Sequence, residues 1–332
     1  MLALSVALTF AVVFVNGWTD APNAIATCVT TRCLSPTAAI IMAAVCNLSG
    51  ALAAGLFFPR VAVTIGTMAD FGSDNRLAIT ALCAALVAIV VWAVAAWVFG
   101  IPTSESHALI AGLCGAAIGL RGVSAIVWSQ WLKVIYGLLF SVVGGVIAGF
   151  TLCKAVILAG RRISRRQGNR AFSAAQIFGA AANAFMHGAQ DGQKFMGILL
   201  LAAALAGIGS GQTQIVQPFL LISCSVVMCA GTCVGGKRII RTVGRDMVRV
   251  EKYQGFAADT ASALCLLTAS LAGMPVSTTH TKTTALIGVG LAKRRSSVNF
   301  KVFSDMFSAW LLTFPGCGII GYAAAKAFTA AI

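Results

Sequence analysis

The chain has 332 residues, of which 59% are hydrophobic and only 10% are charged. A soluble domain carries about 25% charged residues, so this composition excludes an ordinary soluble protein. The net charge of +15 does not indicate nucleic-acid binding, because the basic residues cluster in a few loops between apolar runs, as topology determinants and lipid-headgroup contacts do. Long apolar runs favour helices over the short alternating strands of a barrel, so we predict an all-α integral membrane protein.

The first apolar run starts at Met1 and leads into N-G-W-T-D-A-P-N at residues 16–23. It has no basic leading region, so we expect no cleavable signal peptide. Gly17 and Pro22 disfavour an unbroken helix here. Asp20 between them is a carboxylate at membrane depth, where a charge is costly and normally marks a site. This stretch therefore predicts a broken helix that carries a functional acid.

Further apolar runs follow at residues 38–58 and 77–99, separated by a loop at 59–76. The stretch G-I-P-T-S-E-S-H at 100–107 interrupts the pattern, and later apolar sequence contains Gly145 and Gly149, spaced for close helix contact. The eleven cysteines form no C-x-x-C pair and are interpreted as small packing residues. At about 20 residues per crossing, the chain has room for roughly ten to twelve transmembrane segments.

The second half of the chain repeats both polar stretches. H-G-A-Q-D-G-Q-K at 187–194 places Asp191 opposite Asp20, and G-M-P-V-S-T-T-H at 273–280 places His280 opposite His107. The offsets, 191 − 20 = 171 and 280 − 107 = 173, nearly agree, which indicates one duplicated unit. We predict a first repeat at 1–160, a basic linker at 161–170 and a second repeat at 171–332. Discontinuous helices from both repeats would surround a site near the membrane midplane.

The basic residues predict how the chain is oriented in the membrane. The linker contains five arginines and the loop at 237–252 contains six lysines and arginines, whereas the equivalent first-half loop at 59–76 has only two. By the positive-inside rule, the linker is cytoplasmic and the first-half loop is external. Equivalent loops then lie on opposite sides, so the sequence predicts inverted-topology repeats, each with an odd number of crossings, and both termini outside.

The paired stretches at 102–107 and 275–280 suit an oxyanion. Pro102 and Pro275 sit where a helix could start, and a helix N-terminus offers unpaired N–H groups that hydroxyl side chains supplement. Ordinary helix capping is the competing interpretation of one such stretch, but two matched copies in membrane segments favour a site. The candidates combine hydroxyls with imidazoles, which either donate to an anion or tie a broken helix together. They are Ser104, Ser106, His107, Ser277, Thr278, Thr279 and His280.

Three acids, Asp20, Glu105 and Asp191, fall at membrane depth. With hydroxyls and carbonyls of an unwound helix, they predict a site for a hard cation. An imported oxyanion must overcome an inside-negative potential, so a co-transported cation is physically sensible. The other acids lie in or beside loops and are expected to be solvated: Asp70, Asp74, Asp246, Glu251, Asp259 and Asp305.

The stretch G-x-x-D-x-x-N-A at residues 17–24, its copy from Gly188, and the two P-x-S-x-S/T-H stretches resemble the inorganic phosphate transporter (PiT) family over nearly the whole chain. The resemblance implies an inverted-repeat helical fold, multi-pass in the plasma membrane, and phosphate symport driven by sodium or protons. It implies a cation role for Asp20, Asn23 and Asp191, with the two aspartates as sodium ligands. It implies phosphate binding by the hydroxyls of Ser104, Ser106, Ser277, Thr278 and Thr279.

Three residues depart from that family's pattern. Thr19 and Gln190 stand where asparagine usually precedes each aspartate, and Lys194 stands where the second stretch usually ends in asparagine. An ammonium cannot ligate sodium. Lys194 therefore replaces a cation, contacts the anion, or pairs structurally with Asp191, and the sequence leaves these three roles open.

We predict a secondary active phosphate importer, not an enzyme, with no cofactor beyond its coupling ion. A sulfate transporter of the same fold is one alternative, although Glu105 among the hydroxyls favours a protonated anion such as hydrogen phosphate. A membrane-embedded enzyme is less favoured, since the chain lacks a metal-spaced histidine pair such as H-E-x-x-H. The predicted partners are inorganic phosphate, alone or as a metal–phosphate complex, membrane lipid, and a second copy of the chain in a homodimer.

Overall fold

The computed structural model describes residues 1–99, 103–162, 164–208, 210–234, 250–293 and 298–331. Nearly all of these residues are helical, which confirms the all-α class, and one isolated β-bridge joins Ala69 to Ile126. A π-helical turn at Phe140–Gly144 connects α7 to α8 in the following list. The helices are α1 (Leu2–Thr19), α2 (Pro22–Thr30), α3 (Pro36–Phe57), α4 (Arg60–Gly66), α5 (Asn75–Phe99), α6 (Glu105–Arg121), α7 (Trp128–Leu139), α8 (Gly145–Ala159), α9 (Arg165–Leu205), α10 (Ser210–Val234), α11 (Lys252–Leu271), α12 (Thr278–Lys293) and α13 (Phe300–Ala330).

Within the residues that the structure describes, five helical segments are long and apolar enough to cross a membrane. Many of their large apolar side chains, such as Phe57, Phe99 and Ile319, are exposed on the outer surface of the protein. Water would penalise such a surface, whereas lipid tails match it. The five segments are Leu2–Thr30, Pro36–Phe57, Asn75–Phe99, Trp128–Arg162 and Phe300–Ala330.

The first polar stretch breaks a helix, as predicted. Helix α1 ends at Thr19, and α2 begins at Pro22. Proline lacks an N–H and fixes its own φ angle, so it is tolerated at the first position of a new helix but not inside an old one. The backbone N–H of Asp20 still donates to the Asn16 carbonyl at 2.9 Å. Asp20 is thereby held at the end of α1, next to the break.

The predicted break at the second polar stretch is wrong. Helix α9 runs without interruption through residues 187–194 over its 41 residues. The stretch contains glycines but no proline, and a glycine weakens a helix by about 1 kcal/mol without breaking it. Here the glycines serve packing instead, because a Cβ atom at Gly188 would overlap the backbone of Asn47, and one at Gly192 would overlap Ala51 on α3.

The two halves of the chain interlock. Helix α6 of the first half packs against α13 of the second, and α12 of the second packs against α8 of the first. These contacts are close because small residues face each other, with Gly115 against Gly318 and the predicted pair Gly145 and Gly149 against α12. Helices α3 and α9 also pack together, as do α1 and α10. Each half therefore completes the core of the other.

Two helices restart near the centre of the protein. Helix α6 follows the cap residue Ser104, and α12 begins at Thr278 after an irregular segment that contains Pro275. Pro102, predicted to mark the start of α6, lies outside the described residues. Both helices are buried along most of their length. Most of the basic loop predicted at 237–252 also lies outside the described residues.

Candidate functional site

The Asp20 carboxylate, at the break between α1 and α2, contacts the second half of the chain. It accepts hydrogen bonds from the hydroxyls of Thr278, at 3.0 Å, and of Thr279, both in the first turn of α12. The amide of Asn23 donates to the same carboxylate at 2.8 Å and to the Thr279 hydroxyl at 3.0 Å. All four side chains are buried. The cation motif of one half is thus joined to the hydroxyl motif of the other.

Asp191, the equivalent acid on α9, lies beside this group and is fully buried. Its carboxylate accepts hydrogen bonds from the Lys194 ammonium at 2.6 Å and from the Asn16 amide at 3.0 Å. The Nε2 atom of His187 lies 3.4 Å from the same carboxylate. Ligand atoms of Asp20, His187 and Asp191 all lie within 4.8 Å of one another. Two acids 171 residues apart therefore meet at one site.

The tautomer of His187 follows from a chain of hydrogen bonds behind it. The Thr232 hydroxyl donates to the Met228 carbonyl at 2.9 Å, so its oxygen is the acceptor for the Asn47 amide at 3.2 Å. The Asn47 side-chain oxygen then accepts from Nδ1 of His187 at 3.1 Å. With its proton on Nδ1, a neutral His187 turns the lone pair of Nε2 toward the Asp191 carboxylate. Two acceptors that face each other in this way suit a cation or a proton between them.

Lys194 ties three elements together. Its ammonium donates to the Ser106 hydroxyl at 2.5 Å, to Asp191 at 2.6 Å and to the Val276 carbonyl at 2.7 Å. These three acceptors use all three of its N–H groups. In this conformation the ammonium is a fixed positive charge between the acid of α9 and the start of α6.

The serines of the paired stretches cap their helices. The Ser104 oxygen accepts a hydrogen bond from the His107 N–H, and the Ser277 oxygen accepts one from the His280 N–H, each at 3.2 Å. The capping interpretation therefore describes these two contacts correctly. A hydroxyl that accepts one hydrogen bond still has a proton to donate, so capping leaves a role in anion binding open.

His107 and His280, the histidines predicted to bind phosphate, pack against each other and against α13. The rings of His107 and His280 contact each other with centroids 4.3 Å apart, and they stack on Phe314 at 4.6 Å and Trp310 at 3.6 Å. Both aromatic partners belong to α13. This placement favours a role in tying the two restarted helices together over direct contact with an anion.

Glu105 lies in the first turn of α6 and is buried. One carboxylate oxygen contacts the Thr19 hydroxyl at the end of α1, which also contacts the Val15 carbonyl at 2.7 Å, and the other oxygen has no partner within the described parts of the chain. The third predicted acid therefore also faces the helix break. Thr19, which replaces the usual asparagine, provides this contact.

A second buried ion pair was not predicted from the sequence. Asp259 on α11, predicted to be solvated, is fully buried and pairs with Lys282 on α12. The Thr27 hydroxyl also contacts both oxygens of Asp259, at 2.8 and 3.0 Å. A lysine inside a membrane segment was the available signal. Of the other acids called solvated, Asp70 and Glu251 are exposed and pair with Arg121 and Lys293, respectively.

The chain is similar to known phosphate transporters along nearly its whole length. A family model described as the phosphate transporter family matches residues 16–163 and 159–321. A probable low-affinity inorganic phosphate transporter of Rhizobium meliloti is 39% identical over 323 residues, which cover 96% of this chain and 92% of the relative. A protein of the same description from Bacillus subtilis is 34% identical over 310 residues, with coverages of 93% and 91%.

A solved structure described as the sodium-dependent phosphate transporter shares this fold. It superposes with a TM-score of 0.87 at 21% identity, and the match covers 100% of this chain and 99% of the other.

Proposed function

Because this chain belongs to the phosphate transporter family, we propose that it imports inorganic phosphate together with a cation, by alternating access to the site around Asp20 and Asp191. The observation that carries the proposal is the contact between Asp20 and the hydroxyls of Thr278 and Thr279. In this conformation, the residues predicted to bind the cation and those predicted to bind phosphate form hydrogen bonds with each other. A bound cation and a bound phosphate would replace these internal contacts.

Coupling follows from competition for the same hydroxyls. A cation at Asp20 neutralises the carboxylate and takes the place of the donors from Thr278 and Thr279. Both hydroxyls are then free to donate to phosphate oxygens, which also no longer meet an unscreened carboxylate. Without the cation, phosphate would face two like charges at Asp20 and Asp191 in a medium of low dielectric. Each ligand thus favours binding of the other, as a symporter requires.

We propose sodium as the coupling ion. Hard cations prefer oxygen ligands, and the site offers the carboxylates of Asp20 and Asp191. The side-chain oxygens of Asn16 and Asn23 add two more, and neither has a hydrogen-bond partner among the described residues. The solved neighbour is described as sodium-dependent. Lys194 would hold a fixed charge beside Asp191, where the usual asparagine could ligate a second cation.

The proposed topology keeps the two repeats inverted, with ten to twelve crossings in the plasma membrane, a cytoplasmic linker and external termini. The reciprocal packing of α6 on α13 and of α12 on α8 supports related halves. Helix α9 supports a linker outside the membrane core, because 41 residues span about 60 Å and a membrane core is about 30 Å thick. Its first turns, with Arg166 and Arg170 exposed, extend beyond the core. The metal–phosphate complex and the homodimer stay predictions.

Uptake into proteoliposomes tests the proposal. Labelled phosphate and labelled sulfate are offered separately under an inward sodium gradient, an inward proton gradient, or neither. The expected result is phosphate accumulation that requires the sodium gradient. Accumulation of sulfate in place of phosphate would show that the transported anion is sulfate. Phosphate accumulation driven by the proton gradient alone would show that the coupling ion is the proton and not sodium. Asp191→Asn is the matched variant, since it removes the charge at nearly constant volume and is expected to abolish accumulation.

A further inference from the structure

The buried pair of Lys282 and Asp259 is not used by the central site. Lys282 lies on α12, four residues after Thr278 (282 − 278), and both members of the pair are almost completely buried. Four residues correspond to about 6 Å along a helix. The corresponding position in the first repeat is Leu109 (282 − 173), so the charge is present in one half only. A buried charge is costly, and a hydrophobic residue at this position would pack equally well.

The pair lies on the linker side of the central site. Helix α12 runs from Thr278 to Lys293, and the Lys293 ammonium pairs with Glu251 at the start of α11. The neighbouring Lys252 ammonium donates to Ser173 at 2.5 Å, in the first third of α9, which begins at the linker. Lys282 is therefore the first buried charge that an anion meets when it moves from Thr278 toward the linker.

A small cavity joins Lys282 to the central site. Its lining includes Asn23, His187 and Thr278 from that site, together with Asn183 and Lys282. Its volume of about 10 Å³ suits roughly one water molecule. A phosphate would fit only after the surrounding helices separate. Ala24 and Leu266 complete the lining, so the cavity brings polar side chains of the central site and Lys282 together beside apolar ones.

Lys282 has a hydrogen-bond donor to spare, unlike Lys194. Among the described residues its ammonium contacts two acceptors, the Asp259 carboxylate and the Thr27 hydroxyl at 3.3 Å. An ammonium has three N–H groups. Asp259 is itself held by Thr27, so it remains in place when the lysine moves. A ligand oxyanion beside the cavity would supply the third acceptor.

We propose that Lys282 is a second contact for the transported anion, on the linker side of the central site, with Asp259 as the counter-ion that holds the ammonium while no anion is present. The proposal rests on the proposed transport function. It assigns the two faces of the membrane different affinities, because only the path toward the linker passes this charge. A phosphate leaving Thr278 toward the linker would exchange hydroxyl donors for the Lys282 ammonium.

The test uses the full-length protein in proteoliposomes and inorganic phosphate as the probe. Trypsin cleavage at the arginines of residues 161–170 reports the orientation, and phosphate exchange gives the half-saturating concentration on each face. Lys282→Met with Asp259→Asn removes both charges while nearly conserving volume. The linker-side half-saturating concentration should rise at least tenfold and the opposite one should change less than twofold. An unchanged linker-side value, or the same rise on both faces, in a variant that melts like the wild type, would overturn the proposal.

Two further variants complete the design. Leu109→Met is the matched control at the equivalent position of the first repeat, and it should alter neither face. The same linker-side loss in this control would assign the effect to packing and reject the role of Lys282. If the double variant does not fold, Lys282→Arg carries the test, because it keeps the charge but changes its reach. An anion contact then shifts the linker-side value at least threefold, whereas a purely structural pair shifts neither. Wild-type protein that moves no phosphate would instead refute the proposed function.

Discussion

Replacing Lys194 by asparagine separates a fixed-cation role for this lysine from a purely structural pairing with Asp191. The ammonium makes three hydrogen bonds, one of them to the buried Asp191 carboxylate. Removing one partner of a buried ion pair costs about 3–5 kcal/mol, because the other charge is left uncompensated. Lys194→Asn should therefore lower the free energy of unfolding by this amount when the solution contains no sodium.

Sodium should restore much of that loss if Lys194 replaces a cation. The asparagine oxygen and the freed Asp191 carboxylate would form the ligands of a second sodium site. A ligand at 100 times its dissociation constant stabilises the folded state by about 2.7 kcal/mol. The number of sodium ions coupled to each phosphate should rise by one. Thermal melts with sodium or with an inert large cation, and reversal potentials in proteoliposomes, measure both effects.

The matched control is Lys194→Met, which removes the charge and provides no oxygen ligand. It should be destabilised to a similar extent and should gain no stability from sodium. A folded Lys194→Asn variant with wild-type stoichiometry and no greater response to sodium would refute the fixed-cation role. Lys194 would then not take the place of a cation.

The other predictions concern single contacts. Asp20→Asn should abolish sodium-coupled uptake while the protein still reaches the membrane, since the amide cannot neutralise a cation; normal uptake with unchanged sodium dependence would contradict its role. Thr278→Ala removes one donor to a charged oxyanion and should weaken phosphate binding by about 1.5–3 kcal/mol, roughly 10- to 150-fold, as titration of detergent-solubilised protein would show. Ser104→Ala should weaken phosphate binding in the same way and should also lower the free energy of unfolding by about 1 kcal/mol, because Ser104 caps α6. An unchanged melting temperature would exclude the capping contribution. In the loop outside the membrane, the Gly72 backbone N–H and then Arg121 lower the pKa of Asp70. Asp70 therefore contributes stability that is complete above its usual pKa and is lost below about pH 4. Arg121→Gln should reduce that loss in melts between pH 3 and 6, and an identical acid profile would show that Arg121 has no part in it.

Membership of the phosphate transporter family agrees with the main prediction from the sequence. Particular residues show why the sequence alone was enough to predict an ion site. Charged side chains are costly at membrane depth, so a chain that places Asp20 and Asp191 at matching positions in apolar runs indicates an ion site whatever its tertiary structure. The break at Pro22 was equally local, because a missing N–H acts on the helix that contains it.

Tertiary structure determined the conformation and the contacts of the second polar stretch, at residues 187–194. Its similarity to the first stretch suggested a break, but a glycine has two uses, to bend a helix or to let another backbone approach, and only the position of α3 shows that the second applies to Gly188 and Gly192. The sequence likewise could not choose among three partners for Lys194. All of its acceptors except Asp191 lie more than 80 residues away along the chain, on α6 and in the segment before α12.

The burial of Asp259 also depended on contacts with residues distant in the sequence. Its local sequence places it seven residues into a helix that follows a basic loop, where solvation is the ordinary outcome. Its partners, Thr27 and Lys282, come from α2 and α12, at separations of 232 and 23 residues. Composition and periodicity determine which segments enter the membrane, since each segment is solvated or excluded by its own surface. Which buried charges meet is determined by how the helices pack, and no local pattern contains that information.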